Sequence, residues 1–161
     1  MFLSRPNVQK KILTMKITLC GSIAFIGEML DAKKKLEAAG HKIQMPPLEV
    51  PDEKGNMIPV KEYWDMRKST NMTSGWLWDR KEESIRNHFG KIEWADAILV
   101  FNYSKNNIEN YIGGNTFLEM GHAFHNRKPI YLLNPIPEIL YKEEILGMKP
   151  ILVSGNLALI K

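Results

Sequence analysis

Residues Ala97-Ile98-Leu99-Val100-Phe101 form an unbroken apolar run, preceded by a helical pattern and followed by a polar, asparagine-rich loop. Five residues suit a strand better than a buried helix. A strand with no polar alternation is covered on both faces, as a central strand is in a parallel sheet flanked by helices.

The rest of the chain agrees with that layer arrangement. Strand-like segments read at Lys16-Ile17-Thr18-Leu19-Cys20, Lys42-Ile43-Gln44-Met45, Pro129-Ile130-Tyr131-Leu132-Leu133 and residues 157–160. Helical spacing reads over residues 26–39, 79–94, 116–126 and 138–146, with Gly40 as a C-cap. In the second of these helices, Ile85, His88, Phe89 and Ile92 share one face. Strands alternating with helices define an α/β layer fold. The expected fold class is α/β, a flavodoxin-like (Rossmann-like) doubly wound five-stranded parallel sheet of order 2-1-3-4-5. Such a sheet binds ligands beyond the carboxyl ends of its strands, where the order reverses. That places a crevice between Gly21-Ser22-Ile23 and Asn102 with the loop 103–114.

The chain has 161 residues, 44% hydrophobic and 25% charged, which is an ordinary one-domain composition. The net charge of +4 is concentrated in residues 1–15, where Arg5, Lys10 and Lys11 stand without an acid. Those residues read as a disordered basic extension before a single domain over 16–161. The domain itself is nearly neutral, which argues against a nucleic-acid polymer as partner. Residues 46–78 are irregular, with Pro46, Pro47, Pro51, Gly55 and Pro59, a helical piece near 60–68, and Trp64, Trp76 and Trp78. A connection of that length reads as a lid or an interface insertion. The tryptophans suit stacking on a base, a subunit contact or plain packing. No apolar stretch reaches 18 residues, so no membrane span is expected. The single cysteine, Cys20, excludes an internal disulfide and fits a reducing, cytoplasmic setting; it reads as a small buried hydrophobe.

Gly113-Gly114-Asn115-Thr116-Phe117-Leu118-Glu119 is the stretch richest in chemistry. The glycines permit close backbone approach, and Asn115 or Thr116 can cap a helix. Glu119 has two readings. It completes a Thr116-x-x-Glu119 capping box, folded back on the cap. Or it is a carboxylate at the crevice, available as nucleophile or base. Gly21-Ser22 can offer amides and a hydroxyl to an anion, or be an ordinary turn. Asp96 reads as a cap or turn residue before its strand. Glu119, His122 and His125 do not converge on a metal, because Glu119 and His125 lie about 120° apart around a helix. No metal and no cofactor is expected.

Gly21-Ser22-Ile23, Ala95-Asp96-Ala97-Ile98-Leu99-Val100, and Gly114-Asn115-Thr116-Phe117-Leu118-Glu119-Met120-Gly121-His122-Ala123 with Lys128-Pro129-Ile130 resemble, taken together, the nucleoside 2-deoxyribosyltransferase-like superfamily. That group includes the deoxynucleoside 5′-monophosphate N-glycosidases. Tyr111-Ile112-Gly113-Gly114-Asn115-Thr116 looks like an uncharacterised branch of it. The resemblance spans roughly residues 16–134 and omits 46–80. It implies N-glycosidic cleavage in a (deoxy)nucleoside or (deoxy)nucleotide, with Glu119 as nucleophile and Asp96 lining the sugar and base pocket. Ser22 and its glycine turn would face sugar or phosphate. It also implies a homodimer or higher oligomer. The transferases' second acid corresponds to Gly113 here, which favours hydrolysis over base exchange. No residue of these motifs matches the phosphate-binding arginine of the monophosphate glycosidases; Arg80 and Arg86, outside the motifs, are candidates for that role. The alternatives are a non-catalytic nucleotide-sensing module and a glycohydrolase acting on NAD or a ribonucleotide.

Overall fold

A computed structural model describes residues 13–161. Most of the expected basic extension lies outside the described residues. Its last residue belongs to the fold: Met15 is buried and its carbonyl accepts from Lys42 N at 2.8 Å.

Five parallel strands form the sheet: β1 (Lys16–Gly21), β2 (Lys42–Gln44), β5 (Ala97–Phe101), β6 (Ile130–Leu132) and β7 (Ile151–Leu152). Their spatial order is β2-β1-β5-β6-β7, which is 2-1-3-4-5 when only sheet strands are counted. The α/β, flavodoxin-like, doubly wound expectation therefore holds. Helix α1 (Ile26–Ala38) covers one face, and α3 (Trp76–Trp94), α4 (Gly114–His125) and α5 (Lys142–Gly147) cover the other. The strands sort their side chains by parity. Ile17, Leu19, Leu99 and Phe101 pack with Met29 and Leu36 of α1. Cys20, Ile98 and Val100 pack with Ile92, Met120 and Ile145 on the other face.

The last strand differs from the expectation. Residues Leu157–Leu159 form a 3-10 turn, and the edge strand is Ile151–Leu152. The turn is capped by Asn156, whose Oδ1 accepts from Ala158 N at 3.1 Å. The chain end is drawn back to the sheet, where Tyr131 Oη donates to Lys161 O at 2.7 Å.

Residues 46–78 hold more order than their prolines indicate. An antiparallel hairpin joins β3 (Glu49–Pro51) to β4 (Met57–Pro59), and α2 (Val60–Ser69) follows. Asp52 shapes the hairpin turn, its Oδ1 accepting from Lys54 N and Asn56 N, both at 2.8 Å. The unit has its own small core of Val50, Val60 and Tyr63, packed against Ile23, Ile26, Trp76 and Leu77. Gly75, at φ 97, lets the chain reverse so that α3 starts at Trp76, three residues before the expected Asp79.

Gly21 ends β1 where the sheet leaves no space for a side chain. A Cβ there would lie 3.0 Å from both the Cβ and the carbonyl oxygen of Phe101, and 2.7 Å from Met29 Cε. The methionine end can move, but the strand backbone cannot. Gly21→Ala is expected to lower stability by about 1–3 kcal/mol, measured as a fall in Tm against wild type. An unchanged Tm would show that β1 and β5 can separate at this end without loss.

Candidate active site

The carboxyl ends of β1 and β5 open into a cleft of about 740 Å³, within the size range of small-molecule sites. One wall is the turn Gly21-Ser22-Ile23 and the other is the start of α4. The insertion supplies Trp64, Arg67 and Lys68 from α2, and α3 supplies Arg80, Lys81 and His88. The loop after β5 contributes Lys105 and Tyr111. It can fold tightly because Asn106, Asn107 and Asn110 take φ values of 53, 59 and 55, a conformation asparagine tolerates. Residues of the segment 46–78 thus line one side of the cleft.

Glu119 lies at the floor. Helix α4 begins at Gly114, with Gly113 as its cap and no side-chain cap bond. Thr116 is therefore inside the helix, and the capping-box reading of Glu119 does not apply. The carboxylate points inward and is 5% exposed. Its Oε1 accepts from Asn115 Nδ2 at 2.6 Å. Asn115 Oδ1 in turn accepts from Lys81 Nζ at 2.6 Å. A lysine can only donate, so it fixes which way the Asn115 amide faces and which Glu119 oxygen is held. The other oxygen, Oε2, is buried and has no hydrogen-bond partner. Its neighbours are His88 Nε2 at 3.7 Å and the Cys20 thiol.

Burial dominates the ionisation of this floor. It pushes the Glu119 carboxyl up to about 8, against the opposing pull of the Cys20 thiol, Lys81, Asn115 and Lys91. Burial also pushes the Cys20 thiol up, assisted by the Glu119 charge. His88 is pushed down to about 4, by burial first and then by the Lys91 cation. Burial, with Arg67 adding to it, brings Lys81 down to about 8. At neutral pH the site therefore holds a neutral Glu119, a neutral His88 and a charged Lys81.

The mouth is cationic. Arg67 stacks over Tyr63 at 4.8 Å and its buried Nε has no partner. Lys105 lies 4.8 Å over the Trp64 ring and donates to Ser22 Oγ at 2.8 Å. Arg80 is in the cleft and paired with Glu83. Arg86 is outside, exposed and paired with Glu82 at 2.9 Å.

Of the residues singled out in the sequence, Gly21, Ser22, Ile23, Gly113, Gly114, Asn115 and Glu119 all line the cleft. Nothing approaches within 4 Å of a Cβ built on Gly114, so its missing side chain leaves room in the cleft. Asp96 and Asn102 are not brought there. Asp96 stands before β5, at the amino end of the sheet, about 16 Å of strand from the cleft. Its Oδ2 accepts from Lys16 N at 2.8 Å, tying β5 to β1. Asn102 is buried, donates to the carbonyls of Asn134 and Pro135 at 2.9 and 3.0 Å, and accepts from Asn134 N at 2.9 Å. It clamps the end of β6. Sequence reasoning missed Lys81, Lys91, Arg67, Lys68 and Lys105 as site residues. His88 was placed correctly on the inner face of its helix, but nothing local marked it as facing a carboxylate. His122 stays apart, stacked on Phe89 at 4.2 Å and bonded to Glu93 at 3.0 Å. Trp76 packs on Tyr63, and Trp78 Nε1 donates to Met72 O at 2.8 Å.

Fold and site together define a doubly wound α/β protein with a cation-lined cleft ending on a half-held, buried carboxylate. No family model and no curated protein matches the chain. Solved structures similar to it include the following two. One is a 2-deoxyribosyltransferase from the psychrotolerant bacterium Bacillus psychrosaccharolyticus, at 20% identity over 78% of this chain and 76% of that one, with a TM-score of 0.47. The other is a CMP N-glycosidase from Clostridium botulinum, at 17% identity over 85% of this chain and 84% of that one, with a TM-score of 0.45. No helix among the described residues is long and apolar enough to cross a membrane.

Proposed function

We propose that this chain hydrolyses the N-glycosidic bond of a phosphorylated (deoxy)nucleoside, with Glu119 as nucleophile. The observation that carries the reading is the asymmetry of the Glu119 carboxylate. One oxygen is pinned by Asn115, and the other is desolvated and unpartnered at the floor of the cleft. In the ionised form, Oε2 attacks the anomeric carbon of the sugar. The carbon–nitrogen bond breaks, and the base leaves with the electron pair and takes up a proton. Water then hydrolyses the glycosyl ester, with net retention. Asp96, at the far end of the sheet, has no part in this chemistry.

The cationic mouth supports a phosphorylated substrate over a neutral nucleoside. Arg67 and Lys105 both line the cleft, Lys105 on the Ser22 hydroxyl, and the buried Arg67 Nε still has a hydrogen to donate. Trp64 and Tyr111 provide ring faces for a base. Lys105→Ala is expected to raise KM for a nucleotide by about 10–100-fold, the worth of one charged hydrogen bond. Its KM for the matching nucleoside should stay within about twofold of wild type, since that substrate lacks the charge Lys105 would meet. An equal loss on both substrates would place the phosphate elsewhere.

The deciding experiment is chromatography of reactions with deoxynucleosides, their monophosphates, ribonucleotides and NAD, with Glu119→Gln alongside. Base released by wild type alone supports the reading and names the substrate. A second reading rests on the raised Glu119 pKa: a neutral carboxyl can serve as a hydrogen-bond donor in a nucleotide sensor. Tight nucleotide binding with no base released would select that reading. Base from NAD or ribonucleotides alone would select the glycohydrolase. The proposal extends to a homo-oligomer, for which the exposed Leu118 and Phe124 on α4 offer apolar surface; sedimentation at micromolar concentration tests it, and a monomer would remove it.

A further inference from the structure

Cys20, His88 and Glu119 come from β1, α3 and α4, and all three are buried. Their ligand-type atoms lie within 4.8 Å of one another. The Cys20 Sγ to His88 Nε2 distance is 3.4 Å, and His88 Nε2 to Glu119 Oε2 is 3.7 Å. Zinc bond lengths in a tetrahedron require edges of about 3.6 Å for sulfur–nitrogen and about 3.4 Å for nitrogen–oxygen. Both edges that meet at His88 therefore already stand within a few tenths of an ångström of those of such a site, and the third, from Cys20 to Glu119, is no longer than 4.8 Å. Outside the trio, two of these ligand atoms have no close hydrogen-bond partner. Glu119 Oε2 has no hydrogen-bond partner, and the other acceptor near the Cys20 thiol is the Thr18 carbonyl at 4.0 Å. The fourth corner is supplied by the cleft, which His88 and Glu119 both line.

We propose that Cys20, His88 and Glu119 form a three-ligand site for a zinc-class divalent cation, open to the cleft at its fourth position. A thiolate and a carboxylate neutralise the charge of a divalent ion, and the neutral imidazole completes the set. Sulfur and nitrogen donors select zinc, cobalt or copper over magnesium and calcium. Lys81 and Lys91 oppose a cation from nearby, but each is directed elsewhere, Lys81 to Asn115 and Lys91 to the Met45 carbonyl at 2.7 Å. Binding releases the Cys20 proton and the Glu119 proton to solvent and involves no change of oxidation state. One consequence rests on the proposed function: a metal on Oε2 occupies the nucleophile, so the ion inhibits cleavage.

The test is a titration of tag-free, chelator-stripped full-length protein with cobalt(II). Wild type is expected to bind one equivalent, with visible bands of a tetrahedral ion and a near-ultraviolet thiolate charge-transfer band; zinc should bleach both. Cys20→Ser should lose the charge-transfer band, and Glu119→Gln should weaken binding by more than roughly 100-fold. Absence of the bands in wild type overturns the site. So does a spectrum unchanged in both variants, which would put the ion on other residues. Base release is measured separately, with chelator and with zinc. No base release in chelator defeats the glycosidase reading and leaves the spectroscopic result standing. Full release with the cobalt or zinc site occupied overturns the inhibitory consequence.

Discussion

Glu119→Gln should melt well above wild type at pH 8 and close to it at pH 5, in buffer containing a chelator. The folded chain holds the Glu119 proton until about pH 8, whereas the unfolded chain releases it near 4.5. Between those values the native state binds the extra proton, so this group's contribution to stability falls as pH rises, and the loss is complete above about 8. Glutamine keeps the shape and the acceptor for Asn115 but never ionises. The gain at pH 8 is expected to be about 2–4 kcal/mol, or roughly 5–12 °C in a chain of this size. The same substitution should reduce base release by roughly 10³-fold or more, because an amide cannot form the glycosyl ester. Melts at the two pH values and a chromatographic assay check both halves. Equal Tm shifts at pH 5 and 8 would mean that the carboxylate ionises freely, and the raised pKa would be wrong.

Lys81→Met should move the pH dependence of kcat/KM to higher pH. In wild type, activity is expected to climb towards pH 8 as Glu119 ionises, then to fall as Lys81 loses its charge near 8. Lys81 is one of the cations that hold the Glu119 pKa down. Without it the carboxyl stays protonated to higher pH, and the ionised form at pH 7 falls about tenfold for each pH unit by which its titration moves up. Loss of Lys81 also frees the Asn115 amide to flip. The expected result is a fall in kcat/KM of about 10–100-fold at pH 7, a rising limb displaced to higher pH and no falling limb near 8. Tm should be unchanged or raised, since a buried cation has been removed. A uniform loss with an unshifted profile would make Lys81 a substrate-binding group and break the chain Lys81–Asn115–Glu119. Both variants would then be at least as stable as wild type and less active, the usual relation at a site held against its own solvation.

The strand order, the helices on both faces and the position of the cleft were legible because they follow from local patterns. The apolar run 97–101, the strand-like segment 16–20 running into Gly21-Ser22, and the Gly113-Gly114 pair each carry their meaning within a few residues. The edge strand was not. Ile151–Leu152 is two residues long and half exposed, which is too little for a periodicity to show, while Leu157–Ile160 has strand composition but is capped and turned by Asn156.

The site divides in the same way. Sequence alone placed Glu119 in the first turns of a helix that opens at the expected crevice, and named Gly21, Ser22, Gly113, Gly114 and Asn115 as its candidate surroundings, but it left Glu119 open between a capping residue and a carboxylate of the crevice. Only tertiary structure decided what Glu119 is. Its desolvation, its held and free oxygens, and its neighbours Cys20, His88 and Lys81 depend on α3 crossing behind β1 and α4. Those neighbours stand 31 to 99 positions away in the chain, and no local period encodes such contacts. The same packing removed Asp96 from the site, since a residue before a parallel strand lies at the end of the sheet opposite to the cleft. Hydrophobic pattern specifies which face a residue takes, whereas the ionisation and pairing of a buried group depend on what the rest of the chain places against it.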